Sequence, residues 1–402
     1  MSIDDASTGM RTTYDPHDGR ATAILRAIHS SGGRATRAEV VARTGMPRAA
    51  VSGIVDRLTT SGWLEPADEA PSTGGRRPRR LQLNSQAGSV GVIDVGGSRT
   101  RVGLVDMTGT IVAEDVLAID VAKGPQYVLD WAVPCLEQFF AAHDHLGRRH
   151  VVCGLPGPID ASTGRTVSPP IMAGWEGFDT AAYLRRHLNA PVTIDNDVNV
   201  LTLAEHRLSY PRSAVLLVVK LGTGIGGGIV IDGRLLRGAR GAAGDIGHIQ
   251  ATPQTTSLCR CGQVGCVESE AGGWALVEQL SAAGLSVDTV SEVAELAREG
   301  VPEAVAAVRK AARTIGLAIA DSVSLLNPDT VVLVGEMLGA GEHVLSIVRE
   351  AVYQRSLPLA THNLVLEQST LGPLVGLLGG GMIGIDALIT AATNELDEES
   401  TA

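Results

Sequence analysis

At 402 residues the chain is too long for one ordinary core, so two or three folded units are expected. It is 44% hydrophobic but only 3% aromatic, with 48 glycines, so its cores have to be built from Val, Leu, Ile and Ala and joined by glycine-rich turns. A net charge of -11 would exclude a polyanionic partner if spread evenly, but residues 1–85 hold 12 Arg against 9 Asp+Glu (+3), and the remainder 21 Lys+Arg against 35 Asp+Glu (-14). Only the front end suits nucleic acid. The opening MSIDDASTGM is acidic and lacks the apolar stretch of a secretory signal, and no run of about 18 apolar residues occurs, so a soluble, cytoplasmic protein without a membrane segment is expected. Five cysteines in a reducing compartment seldom pair, and three of them crowd together, which points to metal.

Residues 1–18 are polar and read as a disordered tail, as do 394–402. Between Arg20 and Leu64 three helical patterns follow one another: ATAILRAIHSS, TRAEVVARTG and PRAAVSGIVDRLTTSG. Thr36 is placed to cap the second, Gly45 to end it in a left-handed conformation, and Pro47 to open the third within its first turn. This is a helix-turn-helix. The third helix should bury Val51, Ile54, Val55 and Leu58, leaving Arg48, Ser52 and Arg57 for a major groove, with Thr36 and Arg37 close by. GWLEP and RRLQLN read as a hairpin whose tip carries Arg76 and Arg77 toward the minor groove or phosphates. Residues 19–85 are thus expected to be a winged helix-turn-helix that binds double-stranded operator DNA. Taken alone, the pattern also fits a helical docking domain with a solvated arginine face.

From Ser89 the chain becomes an apolar strand, a glycine turn and a second strand, SVGVIDVGGSRTRVGLVD. Without a GK[ST] ending it is not a P-loop, but N–H groups freed by Gly96 and Gly97 can face phosphate, with Ser98 beside them, while Asp94 holds a metal–nucleotide or a water. KLGTGIGGGIVIDGRLL repeats the logic with Thr223 and Gly224, and a third strand runs into TVVLVGEM at Gly335. Three such segments resemble the two-lobed actin-like ATPase fold. In PVTIDNDVNVLTLAEH a strand ends at Asn196 and Asp197, where Asp197 is placed like a general base for a sugar hydroxyl and Asn196 can hold a neighbouring one; the alternative is an ordinary helix cap. RGAAGDIGHI then leads into CRCGQVGCVE. His248, Cys259, Cys261 and Cys266 make a Cys3His set that suits a closed, structural Zn2+ site. Cys135 and Cys153 read as buried small hydrophobes.

With DVGGS, GLPGP at 154–158, NDVN, GTGIGGG, GDIGH and CRCGQVGCVE in this order, residues 86–390 resemble the ROK family of repressors, open reading frames and sugar kinases. The DNA-binding module in front makes the resemblance one to the family's regulators. It implies an α/β, sugar-kinase-like body, one lobe from 86–202 with about 380–395 and the other, carrying the zinc, from 203–379. It also implies a homodimer or homotetramer and a small-molecule sugar effector held by Asn196, Asp197, Asp245, His248 and Glu268, with His248 serving metal and sugar through its two nitrogens. Three departures argue against ATP and Mg2+ as working ligands. Ile171 stands where a sugar-binding Asn is usual, Asp245 replaces the usual Glu, and Glu336 puts a negative side chain beside the nucleotide turn. An ATP-dependent sugar kinase with Asp197 as base remains the alternative, because Asp94, Asp197 and the GTGIGGG loop are retained.

Overall fold

The structure, a computed structural model, describes residues 19–69, 79–252 and 254–399. The front end runs α1 (Arg20–His29), β1 (Arg34–Thr36), α2 (Arg37–Thr44), α3 (Arg48–Thr60), β2 (Leu64–Glu69) and β3 (Arg79–Leu83). The strands form an antiparallel sheet in the order β1-β3-β2 beside the three helices, which is a winged helix-turn-helix. Local chemistry sets its boundaries. Thr36 and Glu39 form a capping box: the Thr36 hydroxyl accepts from Glu39 N at 3.2 Å and the Glu39 carboxylate accepts from Thr36 N at 2.7 Å. Gly45 ends α2 at φ +67. Pro47 sits one position earlier than expected, as the N-cap of α3 rather than its first residue.

The first lobe contributes β4 (Gly88–Val95), β5 (Thr100–Asp106), β6 (Ile111–Leu117), α4 (Pro125–Ala142), β7 (Arg148–Leu155), α5 (Thr180–Leu188), β8 (Val192–Asn196) and α6 (Asp197–Ala204). The second contributes β9 (Val215–Leu221), β10 (Ile225–Ile231), β11 (Arg234–Leu235), α7 (Val267–Ala271), α8 (Gly273–Ala282), α9 (Val290–Arg298), α10 (Pro302–Leu326), β12 (Thr330–Val334), α11 (Glu342–Arg355), α12 (Pro358–Thr361) and β13 (Val365–Gln368). The final helix, α13 (Val375–Glu399), returns to the first lobe, packing on β4, β5, β7 and α6. The two sheets have the same order, β6-β5-β4-β7-β8 and β11-β10-β9-β12-β13, with the first two pairings antiparallel and the last two parallel in each. The lobes are therefore a structural repeat, although no internal repeat is visible in the sequence. Gly372–Ala392, which includes most of α13, is long and apolar enough to cross a membrane, but its apolar surface is largely spent on the core of the first lobe.

The winged-helix head shares that core. Ile24, Leu25 and Ile28 of α1, with Trp63, Leu64 and Leu83, belong to one apolar cluster with Val90, Val92, Leu377, Ile385, Leu388 and Ile389. Burial at this level fixes the head against α13 rather than on a free linker. A polar contact crosses the seam, Arg26 donating to the Thr390 hydroxyl at 3.0 Å, and beneath it Arg207, just beyond α6, pairs with Asp386 of α13 at 2.6 Å. His29 lies against this pair. Burial, opposed by Asp386 and reinforced by Arg207, holds its imidazole down to about 4, against an ordinary 6.5.

Between these two pH values the unfolded chain binds more protons at His29 than the folded one, so stability rises with pH across the window and is lost as pH falls from 6.5 toward 4. His150, likewise buried and held down to about 4, adds the same slope. Chemical denaturation between pH 7 and pH 5 should therefore show a falling midpoint. His29→Gln should remove part of that slope, and an unchanged slope in the variant would rule out His29 as its source.

Candidate functional site

The carboxyl end of β8 delivers two side chains into a cleft between the lobes, where they meet Ile171, Asp245, His248 and Glu268. Asn196 is a helix cap: its Oδ1 accepts from Val198 N at 2.9 Å and Asn199 N at 3.2 Å, and its Nδ2 donates to Gly157 O at 3.0 Å. Asp197, the first residue of α6, is buried; Oδ1 accepts from Val198 N, and Oδ2 pairs with Lys220 Nζ at 2.5 Å. Burial alone would depress the Lys220 ammonium, but the carboxylates of Asp197 and then Asp94 overcome it and hold its pKa above the ordinary value. Glu268 accepts from Ile225 N at 2.9 Å and from Trp274 Nε1 at 3.1 Å, fastening the start of α7 to the second glycine loop.

His248 joins this cleft to the cysteine cluster. Its Nδ1 lies 3.7 Å from Cys259 Sγ, and its Nε2 faces Asp245 Oδ1 at 3.9 Å. Cys261 and Cys266 Sγ are 3.6 Å apart, and the four ligand atoms of His248, Cys259, Cys261 and Cys266 all lie within 4.8 Å of one another. Isolated bridges Leu258↔Val264 and Gln250↔Cys266 fold the segment back on itself. Gly265, at φ +77, lets it turn where a Cβ would meet Thr255 at 2.3 Å. Burial pushes the Cys266 thiol up to about 12 and raises that of Cys259, so a bound cation is what would convert these thiols to thiolates. A group of this composition could hold a divalent metal ion. Cys153 is fully buried, as expected, whereas Cys135 is only partly buried against the same core.

The other half of the cleft gathers Asp94, Gly97, Ser98, Thr223 and Gly335; Gly224 faces the Asn196 side instead. Gly335, at φ +122, lies where a Cβ would meet Leu221 O at 2.3 Å. Glu336 pairs with Arg99 at 2.6 Å, tying the first hairpin turn to the opposite lobe. Lys220 borders both halves. Two further cations cross between lobes: Arg237 to Asp195 at 2.6 Å and Arg240 to Asp160 at 2.5 Å.

On the head, α3 buries Val51, Ile54, Val55 and Leu58 and leaves Arg48 and Arg57 exposed, with Ser52 half-buried. Arg37 pairs with Asp56 on the same face at 2.6 Å. Thr36 departs from the expectation that it meets DNA: it is buried, and its hydroxyl is committed to the capping box. Arg76 and Arg77 lie outside the described residues.

The ROK family profile matches residues 90–388. The chain belongs to the ROK family. A MarR family profile matches residues 15–77. A xylose repressor of Caldicellulosiruptor bescii is 29% identical over 360 residues, covering 86% of this chain and 90% of its own. A glucokinase of Halalkalibacterium halodurans is 28% identical over 309 residues, covering 72% of this chain and 93% of its own. A solved ROK family transcriptional regulator, described as a homologue of the E. coli MLC protein, has the same fold, with a TM-score of 0.76 over 92% of this chain and 96% of its own at 23% identity.

Within this ROK body, sequence reasoning missed Lys220 and the arginines that bridge the lobes. Lys220 did carry a signal: it is one of three lysines in a chain with 30 arginines, and it interrupts the apolar strand VLLVVKL. Its partners come from distant segments, which spacing cannot reveal. For the cysteine cluster the expected outcome is one tightly held divalent ion per purified chain by elemental analysis. Cys266→Ser should lose it and lower the thermal midpoint by roughly 5 °C or more, because metal binding is linked to folding; a metal-free but equally stable wild-type protein would refute the assignment.

Proposed function

We infer that this chain is a DNA-binding transcriptional regulator, a repressor, whose sugar-kinase-like body senses a sugar or sugar derivative in the cytoplasm. The observation that carries this reading is the winged helix-turn-helix seated directly on the helix that closes the first lobe of a sugar-kinase fold. The xylose repressor matches through the head as well as the body, whereas the glucokinase matches over a shorter share of the chain. In the proposed complex, Arg48 and Ser52 meet base edges, while Arg37 and Arg57 contact phosphates. A homodimer or homotetramer would set two α3 helices into major grooves one turn, about 34 Å, apart. The sugar would lie against Asn196, Asp197, Asp245, His248 and Glu268, with His248 Nε2 donating to a hydroxyl.

We assign Zn2+ to the Cys3His group. Tetrahedral coordination with Zn–S bonds of about 2.3 Å and a Zn–N bond of about 2.0–2.1 Å gives sulfur–sulfur edges of about 3.8 Å and sulfur–nitrogen edges of about 3.6 Å, close to the 3.6 Å between Cys261 and Cys266 Sγ and the 3.7 Å between Cys259 Sγ and His248 Nδ1. Four protein donors close the shell, so the ion is structural, and by holding Nδ1 it leaves the Nε2 proton facing the cleft.

A second reading, an ATP-dependent sugar kinase, draws on Asp197 at the helix start and on the glucokinase relative. Two features weigh against it. Lys220 holds the would-be base in an ion pair, and the Arg99–Glu336 pair spans the nucleotide side.

Gel shifts should show preference for the chain's own upstream intergenic DNA over random DNA. Arg48→Ala should cost about 1–3 kcal/mol of that preference; no preference in the wild-type protein would sink the regulator reading. Thermal shifts with D-xylose, D-glucose, D-mannose and N-acetyl-D-glucosamine should identify a stabilising sugar, with a shift that grows with concentration. A coupled assay with ATP and the same sugars should stay at background, also in Ile171→Asn, and clear turnover would favour the kinase.

A further inference from the structure

If the body senses and the head reads, the state of the cleft has to reach α1. We propose that α6 and α13 form the bar that carries it, with the Arg207–Asp386 ion pair locking the two helices together where Arg26 and His29 of α1 meet α13. The bar starts in the cleft, because the first residue of α6 is Asp197 and every residue of that helix is buried. It continues without slack. Gly379 of α13 lies so close to α6 that a Cβ there would stand 2.0 Å from Val200 O, and a Cβ at Gly376 would stand 2.2 Å from Asp94 Oδ2. Two helices in contact at backbone distance have no side chains between them to absorb a shift, so movement of α6, or of the Asp94 carboxylate, displaces α13.

At its far end α6 passes into a π-helical turn, Glu205–Ser209, which aims Arg207 at Asp386. One turn further along α13, Thr390 accepts from Arg26 of α1, and His29 of α1 faces Asp386. This junction is poorly satisfied. Of the seven buried side-chain polar atoms without a hydrogen-bond partner among the described residues, two belong to this joint, His29 Nε2 and Arg207 Nη1, and two more, Glu205 Oε2 and His206 Nδ1, flank Arg207 on the same turn while their other polar atoms bond Ser369 and Ser213. Unpartnered buried groups store free energy that a small rearrangement can release, which suits an element with two arrangements of similar energy. Arg207 is thus a positioning residue, touching neither sugar nor DNA. The helix it steers, α1, packs on α2 and α3, so its displacement re-aims the reading helix.

This proposal rests on the sensor reading, and its primary test needs no ligand. In the full-length chain, amide hydrogen exchange at residues 20–29 is compared between wild type and Asp197→Asn, with Lys220→Met as a second perturbation of the same ion pair from the other lobe. Each variant is checked for folding by circular dichroism. Either change at the cleft should accelerate exchange in α1 several-fold. In an Arg207→Met background the same changes should leave α1 unaffected, whereas an Arg207→Lys background, which keeps the pair, should retain the effect. An α1 that ignores both cleft variants, or responds equally in the Arg207→Met background, overturns the proposal. A second arm measures affinity for upstream DNA with and without D-xylose, D-glucose, D-mannose or N-acetyl-D-glucosamine. Wild type should shift on the order of 5–150-fold with one of them, and Arg207→Met should stay within about twofold of no shift while binding that sugar as before. If no sugar moves the wild-type affinity yet the exchange effect runs through Arg207, the sensor reading fails and the bar stands. A sugar shift that survives Arg207→Met overturns the bar and leaves the sensor reading standing.

Discussion

Asp197 begins a fully buried helix at the floor of the cleft, and a carboxylate there has to be compensated. Lys220, from the opposite lobe, does so at 2.5 Å, with Asp94 as a second acidic neighbour. Breaking such a pair by removing one partner is costly because it strands the other charge, on the order of 3–5 kcal/mol for buried pairs. The pair therefore fixes the spacing of the lobes. The other interlobe pairs, Arg237–Asp195, Arg240–Asp160 and Arg99–Glu336, have more exposed cations and add less apiece. Arg99 and Glu336 line the cleft, whereas the Arg237–Asp195 and Arg240–Asp160 pairs join the lobes outside its lining.

Beside that floor, one imidazole serves two environments. The Nδ1 edge of His248 lies among thiols and its Nε2 edge faces Asp245 and the cleft. A cation on the thiol side would hold the ring's rotation and tautomer at once, making the cleft wall a fixed donor. Glu268, two residues after Cys266, is tied to the glycine loop through Ile225 N and to α8 through Trp274 Nε1. The cysteine segment, the glycine loop and the cleft wall are thereby one rigid piece. This accounts for a metal group so near a binding cleft without requiring it to take part in a reaction.

What the sequence made legible was local. The Cys3His group, the capping box at Thr36 and the left-handed Gly45 each depend on residues close together in the chain, where spacing constrains geometry. Asn196 and Asp197 stand out at a strand end, whereas Asp245, His248 and Glu268 followed from the family resemblance, and the structure brings all five into one lining. Illegible were pairs made across long separations, such as Lys220 with Asp197, Arg207 with Asp386 and the shared core of α1 and α13. The repeat of the two sheets escaped for a related reason: buried strands need only be apolar and β-branched, so equal topology leaves no equal sequence. Thr36 was overread, because a residue that caps a helix has spent the hydroxyl that a groove would need.

Helix α13 shows how composition can mislead about purpose. A stretch apolar enough for a bilayer, carrying Gly376, Gly379, Gly380, Gly381 and Gly384, reads as a poor helix by propensity. Glycines lower propensity but permit contact distances that no other residue allows, and tertiary packing supplies the stability they forgo. A bulkier helix would stand off from α6 and β4 and leave the cleft and the head mechanically separate. The joint at its far end is built on the opposite principle, with buried donors and acceptors left short of partners. A stiff bar and a loosely satisfied joint complement each other, since displacement passes through the first undiminished and changes the hydrogen bonding of the second. The free energy available for coupling is then the difference between the joint's arrangements, and the one in this structure leaves His29 Nε2 and Arg207 Nη1 without partners to gain from a rearrangement.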